Sequence, residues 1–230
     1  MALPFLPGLV VSCQALEDEP LYGSDVMAKM AYAAERGGAV AIRANTPSDI
    51  RAIRAIVHVP IIGIYKAHYP DSLVYITPTR REVDAILETG AEIISLDATF
   101  RRRPGGERLE DLVQYIHDRG RLCMADVSTV REAINAEAVG FDIVSTTLSG
   151  YTQETHGRIL PDLDLVAHVV EHVRIPVLAE GQIATHKEFV ECFALGAYAV
   201  VIGTAITRPQ IITERYVEAF EAWKQSVKLG

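Results

Sequence analysis

Cysteine is scarce in this chain, and its spacing limits what sulfur could build. There are three cysteines, Cys13, Cys123 and Cys192, an odd number with no C-x-x-C pair. A disulfide framework or a cysteine-based zinc site would need pairs at characteristic spacings. The sequence therefore predicts small buried thiols in a reducing compartment, and we expect a cytoplasmic protein.

Long apolar runs and early basic residues are also missing. No stretch is long enough to span a bilayer as a helix, so we expect no membrane partner. The first basic residue is Lys29, whereas a secretion signal carries positive charge ahead of its apolar segment. The opening run LVVSCQ is therefore interpreted as a buried strand.

Positive charge is in deficit. The formal net charge is -8 and the pI is about 5.4, which is the wrong sign for a nucleic-acid-binding surface. The one dense basic run is RRR at residues 101–103, and we predict that it forms a solvated loop. We expect no nucleic-acid partner, and an anionic ligand would need cations concentrated locally.

Apolar residues are abundant, at 49% of the chain, and they recur in eight short runs separated by amphipathic stretches. Such runs, rich in valine and isoleucine, are typical of parallel strands covered on both faces. Three of the intervening stretches open with Thr-x-x-Glu, a helix-starting capping box, at Thr79, Thr129 and Thr185. The runs are LVVSCQ (9–14), AVAIRA (39–44), IIGIYK (61–66), IISLDA (93–98), LCMADV (122–127), IVSTTL (143–148), PVLAEG (176–181) and AVVIGT (199–204).

Glycines close every second helical stretch. Gly38, Gly90, Gly140 and Gly196 lie shortly before a strand at intervals of roughly 50 residues, as left-handed helix caps would. Four such repeats of two strands and two helices predict a single (βα)₈ TIM barrel over residues 1–230. A doubly wound sheet is the alternative, but its usual phosphate-binding motif, G-x-G-x-x-G, is absent.

Polar residues follow the apolar runs where the strands are predicted to end. Since the carboxyl ends of barrel strands share one mouth, these side chains are predicted to form a ring there. Each residue taken alone could simply cap a turn or face water. The strand-end residues are Gln14, Arg43, Lys66, Asp97, Asp126, Thr147, Glu180 and Gly203, and all of them except Gly203 are polar.

Lys66 is the most informative member of the ring. Burial in the mouth and the nearby charge of Arg43 would both lower its pKa and make the amine available as a base. Glu180 could donate or accept a proton if its pKa is raised. The alternative is a structural ion pair between Lys66 and Glu180 or Asp126.

The last two strand-end loops, AEGQIAT and VIGTAITRP, carry features of a phosphate site. Gly181 and Gly203 allow close backbone approach, while Thr204 and Arg208 supply a hydroxyl and a cation. Tight turns would equally explain the glycines. A metal site is not expected, because no histidine ends a predicted strand, and the histidines at H-x-x-x-H spacing, His168 and His172, are predicted to lie on the surface of a helix.

Together these segments resemble the N-acylglucosamine-6-phosphate 2-epimerase family, also called N-acetylmannosamine-6-phosphate 2-epimerases. The resemblance runs through nearly the whole chain. It implies a ribulose-phosphate-binding type of barrel that interconverts N-acetylmannosamine 6-phosphate and N-acetylglucosamine 6-phosphate, without a cofactor, in sialic acid and amino-sugar catabolism. It also suggests a homodimer. The matching segments are VSCQALEDEPL, AIRAN, IGIYKAHYPDSLVYITPT, DATFRRRP, MADVSTVREA, TTLSGYT, VLAEGQIAT and VIGTAITRP.

The resemblance also implies roles for residues in the matching segments. Lys66 is implied as the catalytic base and Glu180 as its acid–base partner. The family pattern after the lysine usually reads Arg-Asp-Tyr-Pro, whereas this chain has Ala67 and His68 there, and Gln182 replaces a basic residue after Glu180. Implied sugar contacts and polarising groups are Gln14, Arg43, Asp126 and Thr147, and the implied phosphate cradle is Gly181, Gly203, Thr204 and Arg208.

Two other functions remain open from the sequence. A phosphosugar aldolase would use Lys66 as a Schiff-base nucleophile. A non-catalytic sugar-phosphate sensor would use the same ring only to bind its ligand.

The last helix is predicted over residues 211–228. The simplest interpretation is that Tyr216, Phe220 and Trp223 pack on the barrel, and the alternative is that they form a dimer face.

Overall fold

Eight parallel strands close into a barrel in which each strand pairs with the next and β8 pairs with β1. The structure is a computed structural model that describes residues 3–228. It confirms the predicted (βα)₈ barrel and excludes the doubly wound sheet. The strands are β1 (Gly8–Cys13), β2 (Ala41–Asn45), β3 (Ile61–Ile64), β4 (Ile93–Asp97), β5 (Leu122–Asp126), β6 (Ile143–Ser145), β7 (Val177–Glu180) and β8 (Ala199–Ile202).

Helices alternate with the strands and cover the outside of the barrel. All three predicted capping boxes are formed, each with the threonine side chain and the glutamate side chain bonding to backbone N–H groups. The helices are α1 (Ser24–Arg36), α2 (Pro47–Arg54), α3 (Arg80–Leu87), α4 (Leu109–His117), α5 (Val130–Val139), α6 (Leu163–His172), α7 (His186–Ala194), α8 (Thr204–Thr207) and α9 (Pro209–Lys228). Positive φ angles confirm the predicted left-handed residues Gly38, Gly90, Gly140 and Gly196.

The barrel interior changes from apolar to polar along the strands. Because side chains alternate across a strand, every second residue points inward. The lower interior layer is apolar, and two residues further along most strands a polar side chain takes its place. The lower layer includes Val10, Ala41, Ile62, Ile93, Met124, Ile143 and Leu178, and the polar layer above it includes Ser12, Arg43, Ser95, Asp126, Ser145 and Glu180.

The prediction of a solvated RRR loop is wrong for one of its three residues. Arg103 is buried, and its guanidinium donates hydrogen bonds to the backbone carbonyls of Thr77, Pro78 and Asp97. The neighbouring Arg101 pairs with the Asp97 side chain. These contacts tie the β4–α4 loop to the β3–α3 loop, so the arginines stabilise the barrel mouth.

The last helix does not pack its aromatic residues on the described part of the barrel. Tyr216, Phe220 and Trp223 remain 76%, 54% and 57% exposed, so the packing interpretation is wrong. The start of α9 approaches the barrel, where Ile211 and Arg215 line a cavity. Among residues 3–228, no helix is both long and apolar enough to cross a membrane.

Candidate active site

A cavity of about 440 Å³ opens at the carboxyl ends of the strands. Nine of the ten residues predicted for the site line it, all except Asp126. The predicted lining residues are Gln14, Arg43, Lys66, Thr147, Glu180, Gly181, Gly203, Thr204 and Arg208. Asp97 of the predicted ring is not among the lining residues, because Arg101 and Thr99 engage its carboxylate.

Arg43 joins two carboxylates at the floor of this cavity. Its Nη1 lies 2.6 Å from Oε1 of Glu180 and its Nη2 lies 2.6 Å from Oδ2 of Asp126. Arg43 is 2% exposed and Asp126 is fully buried. Removing Arg43 would leave two carboxylates without their shared cation in a region poor in water. Arg43 lies inside β2 and not at its end, so its side chain points into the barrel.

Hydroxyl groups hold the two carboxylates in place. Thr147 Oγ1 lies 2.6 Å from Oδ1 of Asp126 and 2.9 Å from Oε2 of Glu180, and Ser95 donates to Asp126 at 2.8 Å. Burial raises the pKa of Asp126, although the adjacent Arg43 acts in the opposite direction. Asp126 lies below the cavity surface, so it acts on the cavity through Arg43 and Thr147.

Lys66 lies two residues beyond β3 and lines the same cavity. Burial, followed by the charge of Arg43, lowers the pKa of its ammonium to about 8. Both the direction and the causes agree with the prediction. Within the described residues Lys66 makes no ion pair, and Glu180 and Asp126 pair with Arg43 instead. The structural ion pair considered for Lys66 is therefore wrong.

The backbone around Lys66 is held by hydrogen bonds from neighbouring segments. The amide N–H of Lys66 donates to Oδ1 of Asn45 at 2.9 Å. An isolated antiparallel bridge joins Lys66 to Ile76, and Ala67 N donates to Tyr75 O at 3.0 Å. The amine thus extends from a rigid attachment point, which favours a reproducible position in the cavity.

Gln14 follows β1 directly and lines the cavity. Its amide Nε2 donates to Oγ of Ser12 at 2.8 Å. Ser12 is level with Arg43 in the parallel register of β1 and β2. Gln14 therefore lies beside the strand that carries Arg43, and both residues line the mouth, where the sequence predicted a ring of polar side chains.

The predicted phosphate residues are brought together on one side of the cavity. Gly203 caps α8 so closely against β1 that an added Cβ would meet Cβ of Ser12 at 3.3 Å. Gly181 adopts a φ of 128°, which side chains rarely tolerate. Arg208 lies between α8 and α9 and pairs with Glu19 at 2.7 Å.

The cavity contains functional candidates that the sequence analysis missed. Tyr75 lines it beside Lys66, and burial, with the carboxylates of Asp126 and Asp97, raises the pKa of Tyr75 to about 12, so the phenol stays neutral. Arg215 lines the rim. Its spacing of seven residues from Arg208, about two helical turns, was the signal that could have identified it.

A cluster of potential metal ligands lies far from this cavity. His117, Cys123 and Asp142 approach one another near the amino-terminal ends of β5 and β6. The carboxylate of Asp142 accepts a hydrogen bond from the backbone N–H of Cys123 at 2.8 Å and lies 2.9 Å from His117 Nε2. Burial raises the pKa of the Cys123 thiol, and the hydrogen bonds account for the cluster structurally.

The fold and the cavity together define the class of protein to which this chain belongs. A (βα)₈ barrel with an amine of lowered pKa, a buried arginine–carboxylate cluster and further arginines at the rim is suited to acid–base chemistry on a small anionic ligand. Barrel enzymes place their chemistry at this end of the strands.

Comparisons with known proteins narrow the class to one family. The family model described as "Putative N-acetylmannosamine-6-phosphate epimerase" matches residues 27–222. The Clostridium perfringens protein named "Putative N-acetylmannosamine-6-phosphate 2-epimerase" is 54% identical over 210 residues, covering 91% of this chain and 95% of that protein. A Clostridioides difficile protein of the same name is 51% identical over 213 residues, covering 93% and 96%.

A solved structure agrees with the sequence relatives. The N-acetylmannosamine-6-phosphate 2-epimerase from C. perfringens superposes with a TM-score of 0.90 at 53% identity, covering 92% of each chain. This chain belongs to the N-acetylmannosamine-6-phosphate 2-epimerase family, as the resemblance in its sequence indicated.

Proposed function

We propose that this protein interconverts N-acetylmannosamine 6-phosphate and N-acetylglucosamine 6-phosphate by moving a proton at C2, in amino-sugar catabolism. Family membership supports this substrate pair. The observation that carries the proposal is the amine of Lys66, which lines the cavity beside Glu180 and has a lowered pKa. An amine that is partly neutral near pH 7 can accept a proton from carbon.

The proposed reaction begins with the open-chain sugar, in which C2 lies next to the aldehyde. The neutral Lys66 amine removes the C2 proton, the electron pair of the C–H bond forms a C1–C2 double bond, and the carbonyl pair moves to O1. Return of a proton to the opposite face of the flattened centre inverts C2. Glu180 assists ring opening or reprotonation in this scheme, and Arg43 and Lys66 stabilise the negative charge on O1.

Phosphate recognition is proposed for the opposite end of the substrate. Gly181 and Gly203 let the backbone approach the phosphate closely, Thr204 offers a hydroxyl, and Arg208 contributes a cation. Gln14, Thr147 and the buried Asp126–Arg43 pair are proposed to orient the sugar. Binding energy from the phosphate, which does not react, helps to hold C2 in place during the proton transfer.

The decisive test is the reaction in D₂O with N-acetylmannosamine 6-phosphate. We expect product that carries deuterium at C2, seen as loss of the C2 proton signal in NMR. Product without deuterium would contradict exchange with a solvent-equilibrated base. Borohydride treatment with substrate is expected to add no mass, whereas a covalent adduct on Lys66 would favour the Schiff-base aldolase. Binding without any change in the sugar would favour a sensor.

We also propose that the protein is a homodimer. The apolar residues of α9, here called the α9 stripe, recur at helical spacing and remain exposed, so a second copy is the expected cover. Trp223→Glu should shift the sedimentation coefficient to that of a monomer, while Gln225→Glu on the opposite face should not. The same coefficient for both variants would contradict the proposal. The stripe comprises Tyr216, Val217, Phe220, Trp223 and Val227.

The cysteines support a cytoplasmic location. Cys13, Cys123 and Cys192 are free and buried, and burial raises the pKa of each thiol. Such thiols suit a reducing compartment, and we infer that the protein functions there. Fractionation of the producing cell tests this inference.

A further inference from the structure

Arg208 at the phosphate end of the cavity is held by a carboxylate from another part of the barrel. Its Nη2 lies 2.7 Å from Oε1 of Glu19, in the loop between β1 and α1. The two side chains are largely sheltered from water, at 25% and 15% exposed. Arg208 lines the cavity and Glu19 does not, so the carboxylate reaches the guanidinium from outside the lining.

The loop that carries Glu19 has internal hydrogen bonds of its own. The backbone N–H of Glu19 donates to the carbonyl of Leu16 at 2.9 Å, and the N–H of Tyr22 donates to the carbonyl of Glu19 at 3.0 Å. Two successive turns therefore fix the backbone from which the carboxylate extends. An anchored carboxylate can hold a long side chain that would otherwise sample many rotamers.

We propose that Glu19 is a positioning residue that keeps the Arg208 guanidinium directed at the cavity, ready for a phosphate. This inference rests on the proposed function, in which Arg208 contacts the phosphate. A guanidinium has five N–H donors in a planar fork, so one contact to Glu19 leaves others for phosphate oxygens. A side chain that is already held loses less conformational freedom when the ligand binds.

Glu19 has a second effect on phosphate binding that opposes positioning, so it matters whether removing Glu19 weakens or strengthens binding. The negative charge of Glu19 also repels a phosphate, so removing that charge could strengthen binding. In the proposed complex the positive charge of Arg208 would lie between Glu19 and the phosphate and would offset this repulsion. We therefore expect positioning to outweigh repulsion.

The experiment compares wild type with Glu19→Gln and with a matched control, Glu17→Gln. Glu17 lies in the same loop, is exposed, and makes no ion pair among the described residues, so its variant removes the same charge without touching Arg208. Calorimetry with inorganic phosphate gives Kd, and epimerase assays give KM and kcat. For Glu19→Gln we expect Kd and KM to rise roughly tenfold with kcat within about twofold. The control should match wild type.

A double-mutant cycle separates positioning from a general structural effect. In an Arg208→Ala background, Glu19→Gln should have no further effect on KM, because the side chain that it positions is gone. Unchanged or tighter phosphate binding by Glu19→Gln would overturn the proposal, and so would an equal effect in the Arg208→Ala background. Circular dichroism melting checks that each variant is folded.

The outcomes distinguish this inference from the proposed function. Wild-type protein that neither binds phosphate nor epimerises the sugar phosphate would contradict the proposed function itself. Wild-type protein that does both, with Glu19→Gln equal to Glu17→Gln, would remove only the positioning role of Glu19.

Discussion

The lowered pKa of Lys66 leads to a quantitative prediction about pH. At pH 7.5 an amine with a pKa of about 8 is about one-quarter neutral, whereas one at the ordinary value of 10.5 is about 0.1% neutral. The environment of Lys66 therefore makes the fraction of the neutral base form larger by roughly two orders of magnitude. Burial is the larger cause and the charge of Arg43 the next.

The direction of the pH dependence follows from which protonation form of Lys66 reacts. In the proposed mechanism the neutral amine of Lys66 is the base, so kcat/KM should rise with pH and level off above about 8. The profile of kcat/KM reports ionisations of the free enzyme, which is the state in which burial and Arg43 lower the pKa of Lys66. Ionisation of the substrate phosphate produces a separate limb near pH 6.

The assay is initial-rate epimerisation across about pH 6 to 10, with deuterium exchange at C2 measured in parallel. Lys66→Ala should lower kcat by about 10²–10⁴-fold while the protein stays folded. In Arg208→Gln the rise of kcat/KM that reports Lys66 should move to higher pH, because the Arg208 charge lowers the pKa of Lys66. A flat profile, a limb near 10, or near-full activity of Lys66→Ala would refute the reasoning.

Three further predictions concern the scaffold, and urea denaturation measures each as a change in the free energy of unfolding. Arg43→Leu should cost about 3–5 kcal/mol, because Asp126 and Glu180 would lose their buried cation; a cost below about 1 kcal/mol would contradict this. Gly63→Ala should cost about 1–3 kcal/mol, since its Cβ would lie 2.7 Å from an isoleucine methyl; no loss would show that the helix layer can move. Thr129→Ala should cost about 0.5–2 kcal/mol through the capping box, and Thr129→Ser should recover most of it.

Local patterns explain why so much of the fold was predictable. Strands, capping boxes and left-handed glycines depend on residues within a few positions of one another, so their signals survive in a single sequence. The barrel then follows from the regular alternation of these elements. Lys66 and Glu180 were identified because polar residues that end apolar strands are conspicuous.

The arrangement of charges was less predictable. Arg43 bonds to partners 83 and 137 residues away, and only barrel closure shows that it takes both carboxylates and leaves Lys66 free of an ion pair. The same closure lets Arg101 engage Asp97 and buries Arg103 under the mouth. Whether Arg43 or Lys66 pairs with a given carboxylate depends on distances of a few ångströms, and the spacing of residues in the sequence does not give those distances.

The sequence by itself determined the eightfold alternation, the polar mouth and the candidate acid–base residues. The tertiary structure alone decided which of these residues reach the cavity, which ones sit beneath it as support, and that α9 carries its aromatic side chains away from the barrel. The physical reason is that the two kinds of interaction act over different separations along the chain. Propensity and capping act between neighbours in the chain, whereas burial and charge pairing act between neighbours in space.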